Sequence, residues 1–265
     1  MIPNGLFAVN KPSGPLSVTI LDKIKRIYRL QRKEFALSHR NKLKLGHGGT
    51  LDPLASGVLV IGVNDGCKRL HEYIKCNKIY EAVGMLGFAT DTYDSEGKII
   101  ATGPTEHITK EDISQLTSKF IGDIMQIPPM YSALRIDGRR LYDYARKGLI
   151  LPRKIQARSI RIDSLSLLGF TTNHDFRIPK TDAAITENKY VEQASYPIFK
   201  IRVDCGSGTY IRSLIHDIGK ELGSAAHVVQ LKRLQQGNFM LEKNTLEWNE
   251  SLTLTNIFEA IKSEV

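Results

Sequence analysis

The 265-residue sequence contains three cysteines and one tryptophan. Cys67, Cys76 and Cys205 are odd in number, far apart and form no CxxC pair, which speaks against a disulfide framework and a cysteine zinc site. No apolar run reaches the length of a membrane span. The opening MIPNGLFAVNKP has neither the charged start nor the long apolar core of a secretory signal. An intracellular protein without a membrane partner is expected, in the nucleus or the mitochondrion if the source is eukaryotic. Several chemical signatures are also missing. There is no HExxH, and no third ligand stands at matching spacing beside His47 and Asp52, so no metal is expected. GHGG is not followed by the GK[ST] of a P-loop. No GxSxG elbow accompanies Ser207 or Ser213 with His216 and Asp217, so His216 reads as a helix-surface residue. Paired-carboxylate hydrolysis would need a second well-framed acid, and none stands out.

Acid is scarce overall. Thirty-seven Lys and Arg against 28 Asp and Glu leave a net charge of +9, which favours a polyanionic partner. Nine basic side chains face two acidic ones between Asp22 and His47, placing seven of the nine net charges in one-tenth of the chain. A solvated helix face would have the same composition. The position of this stretch, immediately before a glycine loop, favours nucleic-acid phosphate.

That loop is GHGGTLDP, residues 46 to 53. Adjacent glycines free the backbone for positive φ and close approach, and Pro53 holds Asp52 out of α geometry. The apolar run Gly57 to Val63 follows, as in a central strand covered on both faces. Asp52 therefore precedes a buried scaffold and is presented rigidly. A carboxylate near a guanidinium stays ionised and can act as nucleophile or base, and Arg212 is the candidate partner. The bland alternative is an aspartate that only closes a turn.

Elsewhere, Leu6 to Val9 reads as a strand, Ile20 to Leu30 as a basic amphipathic helix, and Lys78 to Gly87 as another strand. Thr109 and Asp112 form a capping box before ISQLTSKF. Residues 126 to 150 combine a diproline, a hairpin signal at Asp137-Gly138 and a basic helix ending at Gly148. There Arg135, Arg139, Arg140 and Arg146 interleave with Tyr131, Tyr142 and Tyr144, as in an arm that grips nucleic acid, although tyrosines at this spacing also suit packing. Residues 171 to 197 read as a surface insertion. Phe199 to Val203 is a half-buried strand, Thr209 a helix cap, and Ala226 to Leu234 a last strand. Strands outnumber helices without strict alternation, which predicts an α+β fold with a largely antiparallel sheet in a single domain, residues 1 to 265.

GGTLDPLASGVL resembles the signature of the TruB family of pseudouridine synthases. KPSG, KIYEAVGMLGFATDTYDSEG, QIPPMYSALRIDGRRLYDYAR, GTYIRSLIHDIG and LKRL agree with the family in order along the chain. The resemblance implies a pseudouridine synthase core: a mixed, mostly antiparallel sheet flanked by helices, with a central cleft. It implies a reaction without metal or organic cofactor, in which uracil is cut from C1′, turned, and rejoined through C5. Asp52 matches the catalytic aspartate, acting on C1′ or on the 2′ proton. Tyr80 matches the tyrosine that stacks on the target base, and Arg212 the arginine paired with the acid. His47 matches a residue inserted into the RNA loop, and Leu231 an apolar pocket wall. Lys11, with Pro12, matches a supporting motif, and Tyr210 in TYIRS falls among the substrate-binding positions.

Leu16 departs from the KPxGxTS pattern, which has threonine there. The tail is too short for the RNA-binding PUA domain of many bacterial relatives, so none is expected. With the basic stretch and RLQQG, this makes the chain resemble the fungal tRNA pseudouridine-55 synthases. The implied substrate is the uridine at position 55 in the T loop of tRNA, and other RNAs with a similar loop are further candidates. A monomer with no obligate protein partner is expected. The alternatives are a guide-RNA-dependent synthase, or an RNA-binding or folding module with secondary catalysis.

Overall fold

The structure is a computed structural model that describes residues 4–35, 37, 43–177 and 196–263. The contacts divide it into two units, residues 1–80 with 231–265 and residues 81–230.

The first unit opens with β1 (Gly5–Lys11), α1 (Ser17–Gln31), β2 (Leu45–His47), β3 (Ser56–Val63) and α2 (Leu70–Lys75). Strand β4 (Lys78–Leu86) begins in this unit and continues into the second. The second unit contains β5 (Phe88–Thr90), β6 (Ile99–Thr102), α3 (Lys110–Thr117), β7 (Gly122–Gln126), β8 (Arg135–Ile136), β9 (Arg139–Arg140), α4 (Leu141–Arg146), β10 (Arg158–Thr171), β11 (Ile198–Cys205) and α5 (Ile211–Glu221). Strand β12 (Ala226–Gln236) returns to the first unit, which closes with β13 (Phe239–Met240), β14 (Thr245–Glu247) and α6 (Leu254–Ser263).

In the first unit the strand order is β14-β1-β3-β12, with β2 on β3 and β13 on β12. The β1–β3 ladder is antiparallel, and the β1–β14 and β3–β12 ladders are parallel. Seven consecutive residues of β3, Gly57 to Val63, are buried, because elements cover both of its faces. Leu6, Ala8, Val58, Val60, Leu70, Tyr73, Phe239 and Leu241 make the core behind the glycine loop. Helix α1 buries Ile20, Leu21, Ile24 and Tyr28 and leaves its basic positions outward, as its periodicity predicts. Leu16 takes the N-cap position of α1 and supplies no side-chain hydrogen bond, so the departure from threonine leaves that cap unfilled.

In the second unit β10 pairs antiparallel with β11 and β7, and two small antiparallel pairs, β5–β6 and β8–β9, stand apart. The predicted mixed, mainly antiparallel α+β architecture is therefore observed. Thr109 and Asp112 form the complete capping box at α3. Asp137 and Gly138 both take positive φ, 49° and 79°, in the two-residue turn of the β8–β9 hairpin. Thr209 does not cap α5. Its hydroxyl donates back to Gly206, and Tyr210 takes the cap position without a side-chain bond. The strand expected to be the last, β12, extends two residues past Leu234 and is followed by the short strands β13 and β14, and residues 178–195 of the expected surface insertion lie outside the described residues.

Candidate active site

The Asp52 loop is suspended by its carbonyl groups. Lys11 is fully buried, and its ammonium donates to the carbonyls of Pro12, Pro53 and Ala55 at 2.9, 3.3 and 2.7 Å. Ser13 Oγ donates to Leu54 O at 2.8 Å, and the Gly14 amide to Pro53 O at 2.8 Å. Ser17 Oγ donates to Leu51 O and accepts from Leu51 N, at 2.9 and 3.0 Å. The Asp52 carbonyl accepts from Ala55 N at 3.1 Å, which closes the turn through the backbone. KPSG and the serine after it thus hold the segment that carries the acid.

Burial pushes the Lys11 ammonium down to about 8, against the upward pull of the Asp52 carboxylate, and the Arg233 guanidinium adds to the fall. An unfolded lysine holds its proton up to about 10.5. Between those values the unfolded chain binds the extra proton, so the stability contribution of this group rises with pH, by at most about 1.4 kcal/mol per pH unit. Lys11→Met should lack that slope. Urea unfolding of both proteins between about pH 7 and pH 10 should show the native chain gaining on the variant, and parallel curves would contradict a lowered Lys11 pKa.

His47 ends β2, which pairs with β3, and its Nδ1 is buried with no hydrogen-bond partner among the described residues. Burial and then Arg233 lower its pKa, so the ring is neutral near pH 7. Tyr80 on β4 and Leu231 on β12 are both buried. Lys11, His47, Asp52, Tyr80 and Leu231 all belong to the first unit, and Tyr210 and Arg212 to the second.

In the second unit three separate motif blocks meet at Arg212. Its guanidinium is almost wholly buried and donates to Thr92 O and, at 2.9 Å, to Tyr131 O, with Nε 3.7 Å from Asp94 Oδ2. Gln126 accepts from Tyr210 N and donates to Tyr210 O, and Ser213 donates to Ile127 O, stitching the diproline segment to the start of α5. Tyr93 sits at φ 61°, an outlier for a bulky residue, and its ring stacks on His216 at 3.9 Å. His216 is therefore half-buried rather than a plain surface residue. Asp94 escaped the sequence reading, although its signal was the acid-rich TDTYDSEG turn. In the arm, Arg140 and Arg146 stand 5.5 and 5.3 Å from the Tyr142 ring centroid, while Tyr144 is buried with Arg139 5.4 Å from its ring.

Among the described residues no cluster of three or more His, Cys, Asp or Glu is placed to hold a metal, and no helix is long and apolar enough to cross a membrane.

A model of the TruB family pseudouridylate synthase N-terminal domain matches residues 25–211, and one of the tRNA pseudouridylate synthase B C-terminal domain matches residues 212–261. The human pseudouridylate synthase TRUB1 is 39% identical, across 98% of this chain and 68% of its own length. Fission yeast (Schizosaccharomyces pombe) tRNA pseudouridine synthase 4 is 35% identical over 93% of this chain and 82% of its own. The tRNA pseudouridine synthase B of Mesoplasma florum is 38% identical over 99% and 79%. A crystal structure of a Cbf5-Nop10-Gar1 complex aligns with a TM-score of 0.59 at 26% identity, covering 92% of this chain. The chain spans about half, 52%, of the solved chain it matches there.

Proposed function

The chain belongs to the TruB family of pseudouridylate synthases, and from that premise we propose that it isomerises the uridine at position 55 in the T loop of tRNA to pseudouridine. The observation that carries this reading is the suspension of the Asp52 loop, which presents one acid from a rigid frame rich in buried cations. Asp52 either attacks C1′ or removes the 2′ proton. On either route the C1′–N1 bond breaks with its electron pair passing to the base, the base turns, and C5 forms the new bond to C1′ while the carboxylate is displaced from C1′ or the abstracted proton returns to C2′. The C5 proton then leaves and N1 gains a proton, so the product is an isomer of the substrate. Tyr80 and Leu231 bound the flipped base, and Arg212 serves as the cationic partner of the acid.

A base inside a stacked stem is out of reach. Eversion costs a few kcal/mol, roughly, and less in a loop whose stacking is incomplete. Recognition then rests on loop shape and phosphate placement, which suits the basic face of α1 and the Arg–Tyr arm. The neutral ring of His47 suits insertion among bases. A monomer acting without a protein partner completes the proposal.

The competing reading is a guide-dependent synthase. Purified protein mixed with unmodified tRNA and no guide separates the two. Pseudouridine at a single T-loop uridine is expected, and product only after a guide RNA is added would reverse the assignment.

A further inference from the structure

The upstream half of the Asp52 loop is held from a strand that lies more than 180 residues away in sequence. Arg233 and Gln236, both on β12, are almost entirely buried. Arg233 donates from Nε to Val58 O at 2.7 Å and from Nη2 to Gly49 O at 3.2 Å. Gln236 Nε2 donates to Gly48 O and, at 2.8 Å, to Tyr73 O.

A buried guanidinium costs several kcal/mol, roughly, unless its donors are satisfied. Here the acceptors are backbone carbonyls on either side of the acid: Gly49 in the loop and Val58 in the strand after it. A lysine could not reproduce this, because only the planar fork offers separate donors at fixed angles. The register of β12 is itself fixed, since Lys232 and Arg233 pair with Ser56 and Gly57 of β3.

The glycines of the motif are explained by the same frame. A Cβ on Gly57, which has φ +103°, would stand 2.1 Å from Arg233 O. A Cβ on Gly49, at φ +138°, would stand 3.2 Å from the Gln236 amide nitrogen, and one on Gly48 would stand 2.8 Å from Tyr73 Cβ. The close approach that these residues permit is to β12 and α2.

We propose that Arg233 and Gln236 are positioning residues for Asp52: they fix the carbonyls of Gly48 and Gly49 and so set the geometry in which the carboxylate meets the ribose. The inference rests on the reading of Asp52 as the reacting acid. A displacement of about 1 Å in a reacting group costs on the order of 100-fold in rate, so these residues act on the chemical step and leave RNA affinity alone.

The test compares Arg233→Lys and Gln236→Met with the native chain and with Ile257→Ala, a core truncation in α6 chosen to lower stability without a bond to the loop. Single-turnover rates at saturating tRNA, RNA dissociation constants and urea stabilities are measured for each. Both loop variants should react about 10- to 100-fold more slowly with RNA affinity within about threefold of native, while Ile257→Ala, though less stable, reacts at the native rate. Should Arg233→Lys fail to fold, Gln236→Met carries the test alone. Native rates in the folded loop variants, or rates that only follow lost stability as in Ile257→Ala, would overturn the proposal. Asp52→Asn run alongside keeps the two readings apart. An active Asp52→Asn refutes the role of the acid, whereas an inert one beside fully active loop variants refutes only the positioning.

Discussion

Asp52→Asn should abolish pseudouridine formation, by about 10³-fold or more, while tRNA affinity stays within about threefold. The substitution preserves shape and removes only the charge and basicity of the carboxylate. Bonds to backbone carbonyls hold the turn. The Asp52 backbone carbonyl accepts from Ala55, and the neighbouring carbonyls are held by Lys11, Ser13 and Ser17. An aspartate whose whole task were to close a turn would therefore tolerate asparagine in the assay. RNA affinity is set by phosphate contacts at basic side chains and should not register the change. Mapping of pseudouridine in a defined tRNA, with binding measured on the same preparation, checks both halves. Product from the variant would return Asp52 to a structural role, and loss of binding would mean that the loop itself had collapsed.

Local signals in the sequence were legible because each is complete within a few residues. The capping box needs only Thr109 and Asp112, and the hairpin needs only Asp137 and Gly138 in positive φ. The buried strand β3 announces itself by an unbroken apolar run. Arg233 and Gln236 could not be read this way. Their acceptors are main-chain carbonyls, which leave no mark on residue type, and those carbonyls lie far along the chain. The available hint was the alternation in VVQLKRL, which puts Arg233 in register with Val229 and Leu231 and not with Gln230 and Lys232. Thr209 misled for a related reason: a threonine before a helix is a cap only if the backbone brings its hydroxyl to the first turn, and here it faces Gly206. The family resemblance pointed to Asp52 and Arg212 as residues, yet it could not say that Lys11 grips the carbonyls around the acid. Nor could it say that Asp94 stands beside the arginine.

Arg212→Met should destabilise the protein by about 3–5 kcal/mol, because it leaves the Asp94 carboxylate buried beside an apolar chain. Asp94 is not a simple surface partner. Its Oδ1 accepts from Thr92 Oγ1 at 2.6 Å and from Glu96 N at 3.1 Å, bonds that hold the turn in which Tyr93 keeps its positive φ. Asp94→Asn would retain most of that turn while removing the charge, so its own cost should be smaller. The double variant decides how the pair works. If guanidinium and carboxylate stabilise each other across the 3.7 Å separation, the double variant loses about 1–3 kcal/mol less than the two single losses combined. Strict additivity would mean that the Asp94 carboxylate adds nothing to the hold that the carbonyls of Thr92 and Tyr131 have on Arg212. Arg212→Lys adds the geometric half of the question. One ammonium cannot reproduce a fork that meets two carbonyls and a carboxylate, so lysine should recover the coupling to Asp94 without recovering the stability. A lysine variant as stable as the native chain would show that charge alone, and not the shape of the guanidinium, joins the three motif blocks at this point.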